Sequence, residues 1–305
     1  MSSAMPSKSM AVRSSLLSLD SDSSMKVNVH ALIALEEAEV LAFLARRPIH
    51  TSFITGLIHD NGLVSPFNRG SFYGFRNSSG HLEGVALIGR KTIIETNNEE
   101  AQEAFAHLAL KSPLPFLLRG ERSQIERLKN LCEVMGRTPR LICRELLLAQ
   151  NSLPEGIEEV QELRPAPEDH LQSVVDVNAK MFFEENGVNP LKIDPEGMRQ
   201  RVAQRIEQRR VWTWVKQGRL IFKADVITET PEAAFIEGVY VHPYERGRGF
   251  GLRCMTQLAR HLLQRTASLS LIVNEENLIA RALYRKAGYE HHCNYSTLYF
   301  SGMIE

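Results

Sequence analysis

The spacing of hydrophobic positions alternates along the chain between about 3.6 residues and two, which predicts helices interleaved with strands. The first half begins with two helices and a three-strand meander and continues as helix, strand, helix, strand. Its predicted helices cover residues 36–47, 51–58, 97–109 and 123–135, and its predicted strands cover 71–76, 82–88, 92–95, 115–118 and 141–148. Asn97, with Glu100 three residues later, predicts a capping box at the start of the third helix.

The second half repeats this order after a polar stretch at residues 149–156, which contains Gln, Asn, Ser, Pro and Gly and predicts a domain boundary. Its predicted strands cover 158–163, 211–215, 220–227, 234–242, 269–274 and 295–300, and its predicted helices cover 167–185, 196–209, 252–264 and 277–286. The two halves share negligible sequence identity, so the common order of their elements indicates at most a structural duplication. We expect a disordered Ser-rich tail at 1–26 and domains at 27–150 and 155–305.

Charge and cysteine content narrow the function classes. Lys and Arg together number 36, as do Asp and Glu, so the formal net charge is zero and no overall basic field attracts nucleic acid or an anionic membrane. Apolar runs such as residues 31–35 are too short to span a bilayer. The four cysteines form no C-x-x-C pair, which is typical of thiols in a reducing compartment. We therefore expect a cytoplasmic protein that binds no nucleic acid, membrane or metal.

The most informative segment is a strand that ends at Pro243 and is followed by a glycine-rich loop and an amphipathic helix. The loop reads Arg246-Gly247-Arg248-Gly249-Phe250-Gly251-Leu252. Glycines let the backbone approach a ligand closely, and amides at a helix start favour an anion. Arg246 and Arg248 can add charge-assisted hydrogen bonds. The alternative interpretation is a tight turn with two solvated arginines.

A second segment favours a binding site over a simple turn. The strand before the loop belongs to a meander, unlike a dinucleotide-binding βαβ unit, and no Gly-Lys-Ser/Thr follows, unlike a Walker loop. Downstream, Asn277 and Tyr284 are seven residues apart and share one face of a predicted helix, with the small Ala280 between them.

Together these two segments resemble the signature motifs of the GNAT superfamily of N-acetyltransferases. The matching residues are Arg246-x-x-Gly249-x-Gly251 after Val-Tyr-Val-His-Pro, and Asn277-x-x-Ala280-x-x-Leu283-Tyr284-x-x-x-Gly288-Tyr289. The resemblance implies an α/β fold, with a mixed and mainly antiparallel sheet flanked by helices, in two tandem copies. It also implies transfer of an acetyl group from acetyl-CoA to a primary amine by direct attack in a ternary complex.

The resemblance also implies individual site residues. The amides of residues 247–252 would bind the pyrophosphate of acetyl-CoA, and the strand Val239-Tyr240-Val241 would splay from its neighbour and pair with the pantetheine arm. Asn277 would contact the pantetheine or nearby backbone, and Tyr284 would protonate the leaving thiolate. Free tyrosine titrates near pH 10 and keeps its proton at neutral pH.

Glu237 is the candidate general base, because family members often use a glutamate on this strand. Burial beside Phe235 and Val239 is expected to raise its pKa into a useful range. The alternative is an ordinary strand carboxylate paired with Lys223. Asp225, Glu184 and Glu185 are further candidates, for contacting a cationic substrate. Three other candidates are less specific. The stripe Arg201, Arg205 and Arg209 is typical of a solvated helix face. Cys254 is typical of a residue that packs in the core, and His242 is typical of a surface turn.

The first half lacks these motifs, since no Arg-x-x-Gly-x-Gly follows its strand at residues 82–88. We expect it to have lost the cofactor loop and to cover the substrate cleft or form a homodimer contact. Two other functions stay open for the protein, namely a non-catalytic CoA-binding regulatory module and an acyltransferase with another donor.

Overall fold

A computed structural model describes residues 28–111 and 116–301, so the expected tail at 1–26 lies outside the described residues. Within these ranges the strands are β1 (Val29–Ala31), β2 (Gly70–Arg76), β3 (Leu82–Gly89), β4 (Lys91–Thr96), β5 (Phe116–Glu121), β6 (Leu141–Gln150), β7 (Arg164–Pro165), β8 (Val211–Lys216), β9 (Arg219–Glu229), β10 (Ala234–Val241), β11 (Leu269–Asn274) and β12 (Glu290–Phe300). The α-helices there are α1 (Glu37–Leu44), α2 (Pro48–Asn61), α3 (Glu99–Leu110), α4 (Arg122–Val134), α5 (Leu171–Asn186), α6 (Pro190–Ile193), α7 (Pro195–Glu207), α8 (Phe250–Leu262) and α9 (Leu278–Lys286). None of these helices is long and apolar enough to cross a membrane.

All twelve strands of the described residues join one sheet, in the order β1-β2-β3-β4-β5-β12-β6-β11-β10-β9-β8-β7. The last strands of the two halves are exchanged. Strand β12 ends the chain's second half but pairs with β5 of the first, and β6 ends the first half but pairs with β11 of the second. The two exchanged strands also pair with each other.

Strand direction confirms the mixed, mainly antiparallel sheet. Among the described strands, only β4 with β5 and β10 with β11 pair in parallel. Each of these parallel pairs comes from a strand, a crossover helix and a return strand, and each is short. The β10–β11 pairing ends at Ile236 with Leu271, after three residue pairs.

The helices of both halves cover the second half's part of the sheet. On one face, α8 buries Cys254, Met255, Leu258 and Leu262, which recur at helical spacing. On the other face lies α2 of the first half. Its Ser52 is 3.1 Å from Ser270 between hydroxyl oxygens, and its Phe53 ring meets the Phe235 ring edge-on at 6.0 Å between centroids.

Local details correct some predicted boundaries. Residues 158–163 form an irregular segment with a turn at 161–162 instead of a strand. Val160 and Leu163 are buried in the core, and the Val160 amide donates to the Gln257 side chain instead of to a neighbouring strand. The cap of α3 is Asn98 in place of Asn97, and its side chain accepts from the Ala101 amide at 3.1 Å. The predicted hairpin at Gln217-Gly218 is present, with positive φ at both residues.

Candidate active site

The glycine-rich loop leads into α8 in the geometry of an anion site. Gly247 and Gly249 both have positive φ, 76° and 79°, and Gly249 is the N-cap residue of α8. A Cβ atom built on either glycine would meet no atom within 4 Å, so open space faces the loop. The first turn of α8 contains no acidic residue. Its free amides and the helix dipole therefore present uncompensated positive potential to that space.

The side chains of the loop hold its shape. Arg246 Nε donates to the Val241 carbonyl oxygen at 3.1 Å, which fixes the loop to the end of β10. Arg248 forms an ion pair with Glu245, and its guanidinium carbon lies 5.1 Å from the centre of the Phe250 ring. The Phe250 ring in turn meets Trp214 edge-on, with centroids 4.8 Å apart. The Gly251 position is tight, because a Cβ there would approach the Val241 side chain to 3.1 Å.

Strands β10 and β11 diverge beside this loop. Beyond Ile236, strand β10 pairs with β9 alone, and its register with β9 shifts between Glu237 and Tyr240. Gly238, inside this bulge, has a φ of 62°. The edge of Val239, Tyr240 and Val241 that faces β11 is therefore without a strand partner among the described residues, and an extended ligand can pair with it.

Helix α9 supplies the second motif. Asn277 is its N-cap, and its side-chain oxygen accepts from the Ala280 amide at 3.0 Å. This contact fixes the start of the helix. Seven residues on, the Tyr284 ring is buried and meets Tyr289 edge-on at 5.8 Å between ring centroids.

The Tyr284 hydroxyl has a distinctive environment. No described residue forms a hydrogen bond with it, and burial raises the pKa of Tyr284 well above its ordinary value. The group therefore keeps its proton at neutral pH and has a free donor for a ligand atom.

Glu237 differs from the expectation. Its carboxylate lies 3.4 Å from Lys91 Nζ and 3.3 Å from an Arg119 guanidinium nitrogen. Burial alone would raise the pKa of Glu237, but Lys91, Arg119 and Arg205 lower it by more, so the net shift is downward. The prediction of a raised pKa was wrong, because the two nearest cations belong to the other half of the protein.

Lys91 and Arg119 are the site residues that the sequence analysis missed. They lie on β4 and β5 of the first half, where that half's own short parallel pair forms. Arg119 also donates to the Thr297 hydroxyl at 2.8 Å and lies 3.3 Å from Glu145, so it is held from three sides. No local motif marks either residue, since their partner Glu237 is 146 and 118 positions away along the chain.

Asp225 lies opposite Glu237 on the neighbouring strand. Its Oδ2 accepts a hydrogen bond from Nζ of the fully buried Lys223 at 2.8 Å. The proposed Lys223–Glu237 pair is thus replaced by a Lys223–Asp225 pair, and Asn178 on α5 contacts both members. The second oxygen of Asp225, Oδ1, is buried and has no partner among the described residues.

The remaining candidates fall in different places. Glu184 is exposed and pairs with Lys180, whereas Glu185 accepts from the Tyr299 hydroxyl at 3.3 Å. Burial raises the pKa of Cys254 to about 12, so this core thiol is not a nucleophile at neutral pH. His242 precedes the 3-10 turn at Pro243–Glu245 and lies against the Tyr244 ring.

The corresponding region of the first half has charges that disfavour a phosphate ligand. Helix α3 carries Glu99 and Glu100 in its first turn, which oppose an anion where α8 has no acid. Arg47 pairs with Glu95 on β4 and with Glu121 at the end of β5, so two carboxylates neutralise this cation and add negative charge beside the helix start.

These features define an α/β protein in which a glycine loop with the geometry of an anion site lies beside an open strand pair. Residues 179–289 match the model of the Acetyltransferase (GNAT) family. This segment belongs to that family, as its motifs predicted, and it contains every residue of the two signature segments.

Solved structures share the fold over most of the chain. A Drosophila protein solved by X-ray crystallography aligns with a TM-score of 0.66 and 13% identity, over 90% of this chain and 99% of its own. An acetyltransferase from the GNAT family of Colwellia psychrerythraea aligns with a TM-score of 0.54 and 15% identity, over 90% and 99%. A tandem GNAT protein from the clavulanic acid biosynthesis pathway aligns with a TM-score of 0.52 and 13% identity, over 91% and 100%. No curated protein matches the chain.

Proposed function

We propose that the protein is an N-acetyltransferase that moves the acetyl group of acetyl-CoA to a primary amine by direct attack in a ternary complex. The observation that supports this proposal most is the divergence of β10 from β11 beside an acid-free helix start. A pyrophosphate fits the open space at Gly247 and Gly249, and an extended pantetheine arm fits the unpaired edge of β10.

The residues of the chain would act in sequence. Acetyl-CoA supplies an activated acetyl group whose carbon–sulfur bond breaks as the carbon–nitrogen bond to the amine forms. The backbone around Val241 would donate to the oxyanion that develops on the carbonyl, where fixed dipoles stabilise charge without reorganisation. The Tyr284 hydroxyl would protonate the departing thiolate, since it is protonated and has no competing partner.

Glu237 would hold the amine and take its proton. A lowered pKa makes this carboxylate a weaker base than expected, but it is ionised at neutral pH and ready to accept a hydrogen bond. The amine nitrogen becomes acidic as its new bond forms, so a weak base suffices at that stage. Lys91 and Arg119 fix the orientation of the carboxylate, and the active site is therefore composed of both halves of the chain.

The proposed setting is the cytoplasm, with no nucleic acid or membrane partner and a homodimer as the proposed assembly. Free thiols at all four cysteines support a reducing compartment, and three of those thiols are buried.

Free-thiol release from acetyl-CoA across a library of amines tests the proposal. We expect release that depends on one class of amine and yields the N-acetyl product by mass spectrometry. A non-catalytic CoA-binding module would bind acetyl-CoA and release no thiol with any amine. An enzyme with another donor would release thiol from a different acyl-CoA, or would acylate the amine from a donor that contains no CoA.

A further inference from the structure

Four arginines, Arg69, Arg90, Arg201 and Arg205, have no direct part in the proposed chemistry. Arg69 lies directly before β2 and Arg90 lies between β3 and β4, and the Arg90 amide donates to the Arg69 carbonyl oxygen at 3.3 Å. Arg201 and Arg205 lie one turn apart on α7 of the second half. Loss of hydration, followed by the charges of Arg201, Arg90 and Arg205, lowers the pKa of Arg69, so these four side chains share one electrostatic environment.

This cluster is short of counter-charge. Arg201 pairs with Asp194 at 3.1 Å, and Arg205 lies 3.7 Å from Asp225. Asp194 is already bonded to the start of α7 through the Gly197 amide, and Asp225 is shared with Lys223. No described residue forms an ion pair or a side-chain hydrogen bond with Arg69 or Arg90, and both are exposed. The four arginines and Lys223 thus face two carboxylates, Asp194 and Asp225, and the surplus positive charge of Arg69 and Arg90 lies on the solvent side.

The cluster is continuous with the acceptor site. Arg205 acts on both Asp225 and Glu237, and it lowers the pKa of Glu237. Lys91, which follows Arg90 directly, contacts Glu237 itself. An acceptor with its nitrogen at Glu237 would therefore lie close to Arg205 and to the segment that carries Arg90 and Lys91.

The backbone at Arg69 is held in an uncommon conformation, which fixes where the side chain leaves the chain. Its φ is 56°, a left-handed conformation that a residue with a Cβ adopts at a cost of about 1 kcal/mol or more. The surrounding structure imposes this conformation, because Gly70 and Gly89 pack too tightly for side chains. A Cβ on Gly89 would lie 2.3 Å from the Arg69 carbonyl oxygen.

We propose that Arg69, Arg90 and Arg205 bind an anionic group of the acceptor, so that the substrate is a primary amine whose other end is a carboxylate or a phosphate. Guanidinium groups suit both anions, since their planar donors match two oxygens at once. This inference rests on the proposed acetyl transfer and specifies its substrate class.

Matched acceptor pairs test the inference with acetyl-CoA as donor. The carboxylate arm compares glycine with glycinamide and 4-aminobutyrate with butylamine, and the phosphate arm compares phosphoethanolamine with ethanolamine. We expect the anionic member of at least one arm to have a kcat/KM about 10- to 100-fold higher, the range of one or two hydrogen bonds to a charged group. The arm that shows this preference identifies the anion. Equal kcat/KM within both arms would overturn the inference.

Two arginine variants provide the matched comparison. Arg69→Gln should remove most of the preference by raising KM for the anionic acceptor, and it should leave the KM of acetyl-CoA and the rate with the neutral amine unchanged. Arg209→Gln is the control, because Arg209 also has a left-handed φ, 59°, but lies beyond the end of α7 near His261. A preference that survives Arg69→Gln combined with Arg90→Gln would overturn the inference.

A failure of acetyl transfer can be distinguished from a failure of the anion site. If no amine is acetylated, the proposed reaction is wrong, and binding measured by calorimetry then decides the anion site. For the carboxylate, N-acetylglycine is compared with N-acetylglycinamide. For the phosphate, N-acetylated phosphoethanolamine is compared with N-acetylethanolamine. Tighter binding of an anionic compound that Arg69→Gln abolishes would support the site. Equal binding within both pairs would contradict it.

Discussion

Tyr284 and Tyr289 lie in the same core with their rings in contact, and they differ in what their hydroxyls can do. The Tyr289 hydroxyl is fully enclosed and has no partner among the described residues, whereas the Tyr284 hydroxyl is not enclosed in this way. Both phenols are kept protonated by burial. Only Tyr284 can donate its proton to a bound molecule, and this assigns it the acid role in our proposal.

Replacing Tyr284 with Phe removes the hydroxyl and keeps the ring in its packing. We expect kcat to fall about 100-fold or more, because general acid catalysis contributes in that range, with little change in the affinity for acetyl-CoA. Single-turnover kinetics with a confirmed amine measure the chemical step directly. Tyr289→Phe is the matched control and should retain the wild-type rate. A wild-type chemical step in Tyr284→Phe would make Tyr284 a packing residue.

The pKa of Glu237 gives a pH prediction. Because its pKa is below the ordinary value of 4.5, the carboxylate is ionised through the neutral range, and its protonation limits activity only under more acidic conditions. Lys91→Met removes one of the two cations beside Glu237, so it should raise the pKa of Glu237 and move this acid limb of kcat to higher pH. The measurement needs an acceptor that is itself a weak base, so that titration of the amine does not hide that of Glu237. An acid limb that does not move would show that Lys91 does not set the pKa of the group that limits activity, which would contradict the prediction.

At the scale of elements, the loop and α8 form the proposed cofactor site as one unit. Gly249→Glu places a carboxylate where the open space faces the helix start, so it should abolish binding of acetyl-CoA by repulsion and by filling that space. The positive φ of Gly249 adds strain, so Gly249→Ala controls for it. Calorimetry should detect acetyl-CoA binding to the Ala variant and none to the Glu variant. Unchanged binding to Gly249→Glu would show that the loop is only a turn.

The sequence predicted the elements of this site well, because their signals are local. The strand at 269–274 has the predicted bounds, and the hairpin at Gln217-Gly218 is where its turn residues placed it. The prediction of a strand at 158–163 was wrong. The apolar residues of this segment pack into the core from irregular backbone, and the Val160 amide donates to the side chain of Gln257, almost a hundred positions away. The capping box predicted at Asn97 was wrong by one residue, because the side chain of Asn98 accepts from the Ala101 amide.

Long-range pairing is what the sequence could not predict at the scale of the molecule. The exchange of β6 and β12 depends on which edge each strand meets, and periodicity carries no such information. The same holds for Lys91 and Arg119, which reach Glu237 only because the exchanged strands join the halves into one sheet. The division into domains at 27–150 and 155–305 therefore stays a prediction. The candidate site contains residues from both sides of that boundary.

The exchange of strands predicts that the halves depend on each other. Expressed separately as 1–150 and 151–305, each fragment lacks the strand that closes its part of the sheet, and each exposes an unpaired edge. We expect both fragments to aggregate or unfold alone and to form a soluble complex when expressed together. Gel filtration and far-ultraviolet circular dichroism would check this, and two separately folded monomers with cooperative unfolding would contradict it.

The central claim is that the open strand pair and the glycine loop form a site for acetyl-CoA. The most direct measurement is the thermal stability of the whole protein with acetyl-CoA, compared with NAD, FAD and ATP at equal concentration. At a concentration about 100 times Kd, binding to the folded state should add about 2.7 kcal/mol of stability. We predict this gain for acetyl-CoA and much smaller gains for the others. Stabilisation by NAD with none by acetyl-CoA would contradict the account.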